Sequence, residues 1–108
     1  MDRTLFQEAL TAFEQAIRLD PNLAVAYNNK GWALISLERH QEALVACEQA
    51  IRLDPALAVA YINKSDALIS LKSYYEALVA CEQAIRLDPN LAVAYDNKSW
   101  ALNNLMSQ

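Results

Sequence analysis

Glu42 to Pro55 reads EALVACEQAIRLDP, and Glu76 to Pro89 repeats it without change. A close variant, EALTAFEQAIRLDP, stands at Glu8 to Pro21. The three copies, and with them Pro21, Pro55 and Pro89, return every 34 residues. A second phrase alternates with them: LAVAYNNKGWALISL from Leu23, LAVAYINKSDALISL from Leu57 and LAVAYDNKSWALNNL from Leu91. A fixed period of this size marks a repeat architecture, in which each unit buries its apolar face against its neighbours.

Each phrase is long enough for one helix. In the first, Leu5, Phe6, Ala9, Leu10, Phe13, Ala16 and Ile17 follow the i, i+3, i+4, i+7 spacing of a single apolar face. This predicts a helix over 3–19, ended at Asp20-Pro21 because a residue before proline is driven out of the helical region. Asn22 and Asn90 read as caps of the helices that follow, with Ala56 at the equivalent position of the middle copy. The second helix, 23–37, places Ala26, Tyr27, Ala33 and Leu34 on one side and Asn28, Asn29 and Lys30 on the other. Glu38 to His40 makes a short polar turn. A third helix over 41–53 turns Ala43, Leu44, Ala46, Cys47, Ala50 and Ile51 inward. The pair then repeats over 57–71 and 74–87, and a last helix covers 91–106. Nothing alternates with period two, and one glycine gives no support to hairpins. The fold class is therefore all-α, six antiparallel helices in a solenoid.

Residues 24–57 and 58–91 differ at eight positions and agree at 26 of 34. Four differences lie in the turn and one beside the proline. The other three, Asn28/Ile62, Gly31/Ser65 and Trp32/Asp66, all lie in the first helix of the pair. The second helix is nearly frozen, as packing between repeats requires.

A net charge of −4 with interspersed signs argues against nucleic acid or an anionic membrane, which call for a basic face. Charges interrupt every apolar run before the roughly 20 residues of a membrane span. MDRTLFQEAL lacks the basic head and apolar middle of a signal peptide. Cys47 and Cys81 sit at equivalent points of two repeats. Stacked helices are about 10 Å apart, beyond the roughly 7 Å reach of a disulfide. They read as reduced, buried cysteines of a cytoplasmic protein.

With these residues in view, the chain resembles the tetratricopeptide repeat family, whose 34-residue helix–turn–helix unit ends in Asp-Pro. Tyr27, Tyr61 and Tyr95 take the opening aromatic slot, and Gly31, Ser65 and Ser99 the slot that needs a small residue. Ala9, Ala43 and Ala77 take the alanine slot, and Phe13, Cys47 and Cys81 the phenylalanine slot. Leu34, Leu68 and Leu102 replace the second aromatic. Lys30, Lys64 and Lys98 stand in the leucine slot, where their stems can pack while the amines reach water. Cysteine for phenylalanine removes volume that Trp32 or Tyr74 and Tyr75 are expected to refill.

Within that resemblance the chain is a single array, 1–108. It divides into a second helix (1–23), two full repeats (24–57 and 58–91) and a first helix (92–108), in the order B, A-B, A-B, A. Each end lacks its usual mate, so self-association is expected through Leu5, Phe6, Leu10 and Phe13 with Tyr95, Leu102 and Leu105. The competing reading is a fragment of a longer array, or a designed one, with wet ends.

The resemblance also implies a role in protein–protein interaction, with the first helices lining a groove for a peptide. The groove residues carried over are Val25, Asn28, Asn29, Trp32, Ile35 and Ser36, then Val59, Ile62, Asn63, Asp66, Ile69 and Ser70, then Val93, Asp96, Asn97, Trp100, Asn103 and Asn104. The helical pitch gathers 25, 28/29, 32 and 35/36 on one stripe. Trp32 and Trp100 are the expected anchors, and Asn29, Asn63 and Asn97 a ladder toward a peptide backbone. Packing against neighbouring helices is the alternative role for each. Some family members clamp a partner's C-terminal carboxylate with basic residues and asparagines; here Asn63 alone matches. Asp66 and Asp96 favour instead a neutral to mildly basic partner with apolar side chains.

Nothing points to an enzyme, a cofactor or a metal. His40 lies in the turn and reads as solvated. Cys47 and Cys81 have no histidine within a helix turn. Glu42, Glu48, Glu76 and Glu82 read as solvated partners of Arg52 and Arg86. There is no glycine-rich phosphate loop or metal-spaced cluster.

Overall fold

The computed structural model describes residues 2–107. They form α1 (Arg3–Leu19), α2 (Ala24–Ser36), α3 (His40–Leu53), α4 (Ala58–Ser70), α5 (Tyr74–Leu87) and α6 (Ala92–Met106), with no strand among the described residues. The expected boundaries hold to within one residue, because each Asp-Pro step ends its helix in the same way. Asp20, Asp54 and Asp88 leave helical geometry while their N–H groups still reach Ala16, Ala50 and Ala84 carbonyls at 2.9 Å. Each carboxylate then accepts the backbone N–H two residues on, from Asn22 (3.2 Å), Ala56 (3.1 Å) and Asn90 (3.1 Å). This is an Asx turn, and it asks nothing of the side chain that donates. Asn22 and Asn90 are therefore not caps: Leu23, Leu57 and Leu91 hold the N-cap positions, without a side-chain bond.

The turns from α2 to α3 and from α4 to α5 close by a different device. Arg39 N–H reaches back to the Leu34 carbonyl (2.8 Å) and Glu38 N–H to Ile35 (2.9 Å). Ser73 and Lys72 do the same to Leu68 (2.8 Å) and Ile69 (3.0 Å). These are Schellman closures, which need a left-handed residue. Glu38 (φ 61°) and Lys72 (φ 63°) supply it without being glycine. His40 belongs to the first turn of α3, not to the loop, and its Nδ1 is buried without a hydrogen-bond partner.

Consecutive helices pack pairwise, and α2 also touches α4 while α4 touches α6. Among the described residues α1, α3 and α5 do not touch one another. The array therefore curves with α2, α4 and α6 on its inner side, within 43 × 29 × 20 Å.

The core is a strip between helices. Leu10, Leu34 and Leu68 are fully buried, each contributing about 1.5–3 kcal/mol. Alanines at 33, 43, 50, 67, 77 and 84 let the backbones approach. Gly31 lies where α2 meets α3: a methyl there would come within 2.6 Å of Cys47 Sγ. The cysteine thus fills its own slot beside Gly31; of the aromatics expected to refill the volume, Trp32 and Tyr75 are exposed and Tyr74 is half-buried. Trp32 instead meets Phe6 edge to face, with centroids 5.4 Å apart.

Charged side chains tie the repeats together across helices. Lys30, Lys64 and Lys98 reach Glu14 (3.5 Å), Glu48 (3.5 Å) and Glu82 (3.9 Å) on the preceding helix. Arg52 and Arg86 bond Gln49 and Gln83, not the glutamates expected from the sequence. The glutamates at 48 and 82 have already turned toward lysine.

Candidate functional site

The inner surface takes its side chains from one stripe of each of α2, α4 and α6. Val25, Val59 and Val93 stand exposed near the start of these helices, and Trp100 is 58 % and Trp32 46 % exposed one turn and more beyond. A cleft of about 370 Å³ crosses all three helices. Ile35 enters it from α2, Asp66, Ile69 and Ser70 from α4, and Asp96, Asn97 and Trp100 from α6.

Not every residue expected on this stripe is open. Asn28 and Ile62 are buried, which corrects the expectation that both face a groove. Asn28 is drawn under α4, where its Oδ1 accepts from Asn63 Nδ2 at 2.8 Å. Ile62 sits with Ala84 and Ala94 in the core between α4, α5 and α6. Asn97 is also buried, and its Nδ2 donates to Asp66 Oδ1 (2.8 Å) and to Ser65 Oγ (2.9 Å). Ser65 passes the chain on by donating to the Ile62 carbonyl at 2.7 Å. Asn63 and Asn97 are thus struts between neighbouring helices, which a helical wheel cannot separate from ligand-facing residues. Asn29 is half-buried.

The electrostatics of the cleft follow from burial. Asp66 is half-buried, and its desolvation pushes the carboxyl above the usual aspartate range, partly offset by the Asn97 hydrogen bond. Among the described residues no cation lies within ion-pair distance of Asp66 or Asp96. The lysines of α2, α4 and α6 are all committed to glutamates on the preceding helices. The inner surface is consequently acidic.

Two outer clefts, of about 380 and 340 Å³, went unrecognised in the sequence. Tyr27, Lys30, Glu42, Val45, Ala46 and Gln49 line the first together with Leu34. Tyr61, Lys64, Glu76, Val79, Ala80 and Gln83 line its equivalent one repeat on, together with Tyr75. Their signal was the exposed valine on each otherwise frozen helix.

The faces expected to self-associate are only partly available. Phe6 and Leu10 are buried against α2 within the chain, so they are withdrawn from that role. Leu5 is exposed, while Phe13 and Leu105 are half-buried. Leu102 is 36 % exposed, against 1 % for Leu34 and 2 % for Leu68, which have a following helix to cover them. Tyr95 lies beside it, exposed, its hydroxyl bonded to the Pro89 carbonyl at 3.0 Å. Cys47 and Cys81 are free and buried; burial pushes the Cys47 thiol up to about 12 and raises that of Cys81.

Family models for the tetratricopeptide repeat match residues 24–57, and residues 5–23 and 58–91. The chain belongs to the tetratricopeptide repeat family. The stacked pairs, the Asp-Pro steps and the inner row of first helices are this family's architecture in the present sequence. No curated protein matches it closely enough in sequence to count as a relative. Among solved structures it is similar to the TPR2B domain of yeast Sti1, in a complex with pHsp70. There it shares 28 % identity and a TM-score of 0.85, covering 97 % of this chain and 86 % of that one. The TPR domain of Arabidopsis OM64 has 26 % identity and a TM-score of 0.90, over 93 % and 83 % of the two chains. The first TPR of Spaghetti (RPAP3), bound to the HSP90 peptide SRMEEVD, has 23 % identity and a TM-score of 0.92. Its coverage is 95 % of this chain and 82 % of that one, and at this identity the likeness is one of fold.

Proposed function

We propose that this tetratricopeptide array is a protein-interaction scaffold that holds a peptide segment along α2, α4 and α6. The observation that carries the reading is the cleft shared by all three inner helices, with Trp100 exposed at its edge. An exposed tryptophan beside a cleft is the kind of residue that dominates binding energy. Similar folds, one bound to an HSP90 peptide and one in a complex with pHsp70, support it. Val25, Val59, Val93, Ile35 and Ile69 offer apolar contact along the stripe, and Trp32 and Asn29 extend it over α2. The partner is a neutral to mildly basic segment with apolar side chains. The acidic end of SRMEEVD, as held by Spaghetti, would meet Asp66 and Asp96 here and be repelled. A cytoplasmic setting fits two free cysteines.

The test is one variant with two readouts. Trp100→Ala abolishes binding of apolar, mildly basic peptides while leaving the solution mass unchanged. Peptide binding that survives Trp100→Ala unaltered sinks the groove reading.

A second reading has its own support in the exposure of Leu102. The face of α6 around Tyr95, Leu102 and Leu105 is apolar and borders an open cleft of about 520 Å³ lined by Ala92, Val93, Tyr95, Asp96 and Ser99. A second copy's α1 would cover it with Ala9, Phe13 and Ala16, whose counterparts Ala43, Cys47 and Ala50 cover α2 inside the chain. Light scattering across a concentration series tests this. Association that Leu102→Gln abolishes supports it, and a monomer throughout removes it.

A further inference from the structure

We infer that the inner cleft is a pocket for one cationic side chain of the bound segment, an arginine, packed between Trp100 and the Asp66 carboxylate. The inference rests on the groove reading above and specifies what that groove selects.

Three features on different helices converge on the same occupant. The first is shape and surface: a cleft of about 370 Å³ with Ile35 and Ile69 as apolar walls and an exposed indole at its rim. Apolar walls suit the stem of a long side chain, and an indole face suits a guanidinium, which stacks as well as attracts. The second is a fixed acceptor. Asn97 Nδ2 holds Asp66 Oδ1 at 2.8 Å, so the carboxylate cannot swing away from the cleft without breaking that bond. A carboxylate so placed is preorganised for a planar donor. The third is unmet charge. Asp66 is desolvated enough for its carboxyl to be raised, Asp96 lines the same cleft, and the neighbouring lysines are held elsewhere by Glu14, Glu48 and Glu82. A cation from outside supplies what the chain itself withholds.

The contrast between repeats places this pocket at one step of the array. Position 32 is Trp, its equivalent at 66 is Asp, and 100 is Trp again. Between α4 and α6 this sets an acid on one helix across from an indole on the next. Between α2 and α4 the indole is Trp32, already in contact with Phe6, and the equivalent of Asp96 is the buried Ile62. Arginine recognition is therefore expected once per chain, not at every repeat.

The experiment is selection from a random-peptide library on the intact chain, on Asp66→Asn/Asp96→Asn, and on Trp100→Ala. Asparagine at 66 keeps an oxygen for Asn97, and circular dichroism checks that each variant is folded. Wild type is expected to enrich peptides with arginine fixed at one position. The double asparagine variant should still select peptides with the same apolar residues but without the arginine. A selected peptide is then remade with citrulline, which keeps the shape and removes the charge. Wild type should bind it about tenfold or more weakly, and the double variant should bind both forms alike. Wild-type peptides without a fixed basic residue, or equal affinity for arginine and citrulline, overturn the inference and leave the groove reading standing. Failure to enrich any peptide overturns both.

Discussion

Asn97 on α6 donates to Asp66 Oδ1 at 2.8 Å and to Ser65 Oγ at 2.9 Å, so one buried amide clamps two adjacent side chains of α4. Both hydrogens of the amide are used, and the acceptor-only carboxylate fixes which way the amide faces. The clamp holds an acid in a half-buried place that raises its proton affinity. Folding and the proposed ligand selection are in tension at that residue.

That tension has a sign. Burial raises the folded pKa of Asp66 above the ordinary value, so between the two values the folded state binds more protons than the unfolded state. Stability then falls as the pH rises from the ordinary aspartate range through the raised one. Asp66→Asn is expected to gain stability relative to wild type over that window and to keep the gain at neutral pH. Urea denaturation of both proteins across acid to neutral pH reads it. A difference that does not change with pH contradicts the account.

Gly31 and Cys47 predict a compensating pair. A methyl at 31 would lie 2.6 Å from Cys47 Sγ in a fully buried contact. Overpacking of about 1–3 kcal/mol outweighs the ~1 kcal/mol of helix propensity that alanine adds, so Gly31→Ala alone destabilises. In a Cys47→Ala background the clash is gone and the same change should stabilise by about 1 kcal/mol. A double-mutant cycle measures the reversal; the same sign in both backgrounds contradicts it.

The left-handed residues Glu38 and Lys72 predict an opposite use of glycine. Each closes a Schellman turn at φ 61° and 63° with a side chain that resists the conformation. Lys72→Gly should raise stability by up to about 1 kcal/mol. Thermal melts that fall instead would show that the lysine side chain contributes more than the strain it brings.

Cys47 predicts inertness. With full burial and a thiol pushed up to about 12, roughly one molecule in ten thousand is thiolate at pH 8. Alkylation by iodoacetamide should be negligible in the folded chain and complete in denaturant. Rapid reaction in the folded state contradicts the packing at Gly31.

The helix ends were legible because Asp-Pro is a local instruction: it fixes backbone geometry whatever packs around it. The array followed from the period. Asn28 and Asn97 were not legible in the same way, because each inner helix also packs on at least one other inner helix, so its polar stripe is shared between water and that neighbour. Sequence spacing gives the stripe but not the partner, so the struts Asn28–Asn63 and Asn97–Asp66 could not be told from a ladder facing a ligand. Phe6 and Leu10 failed for a related reason: an amphipathic end helix has one apolar face, and α2 had already taken most of it. Asp66 stood out because it breaks the repeat at the position where Trp32 and Trp100 stand in the other copies.

The measurement that bears most directly on the groove is an NMR titration of the isotope-labelled chain with a peptide recovered from the random library. Shifts are expected at Ile35, Asp66, Ile69 and Trp100, with the indole signal of Trp100 moving most. Shifts confined to Val45 and Val79 in the outer clefts, or to Tyr95 and Leu102 on the end face, would contradict a peptide site along α2, α4 and α6.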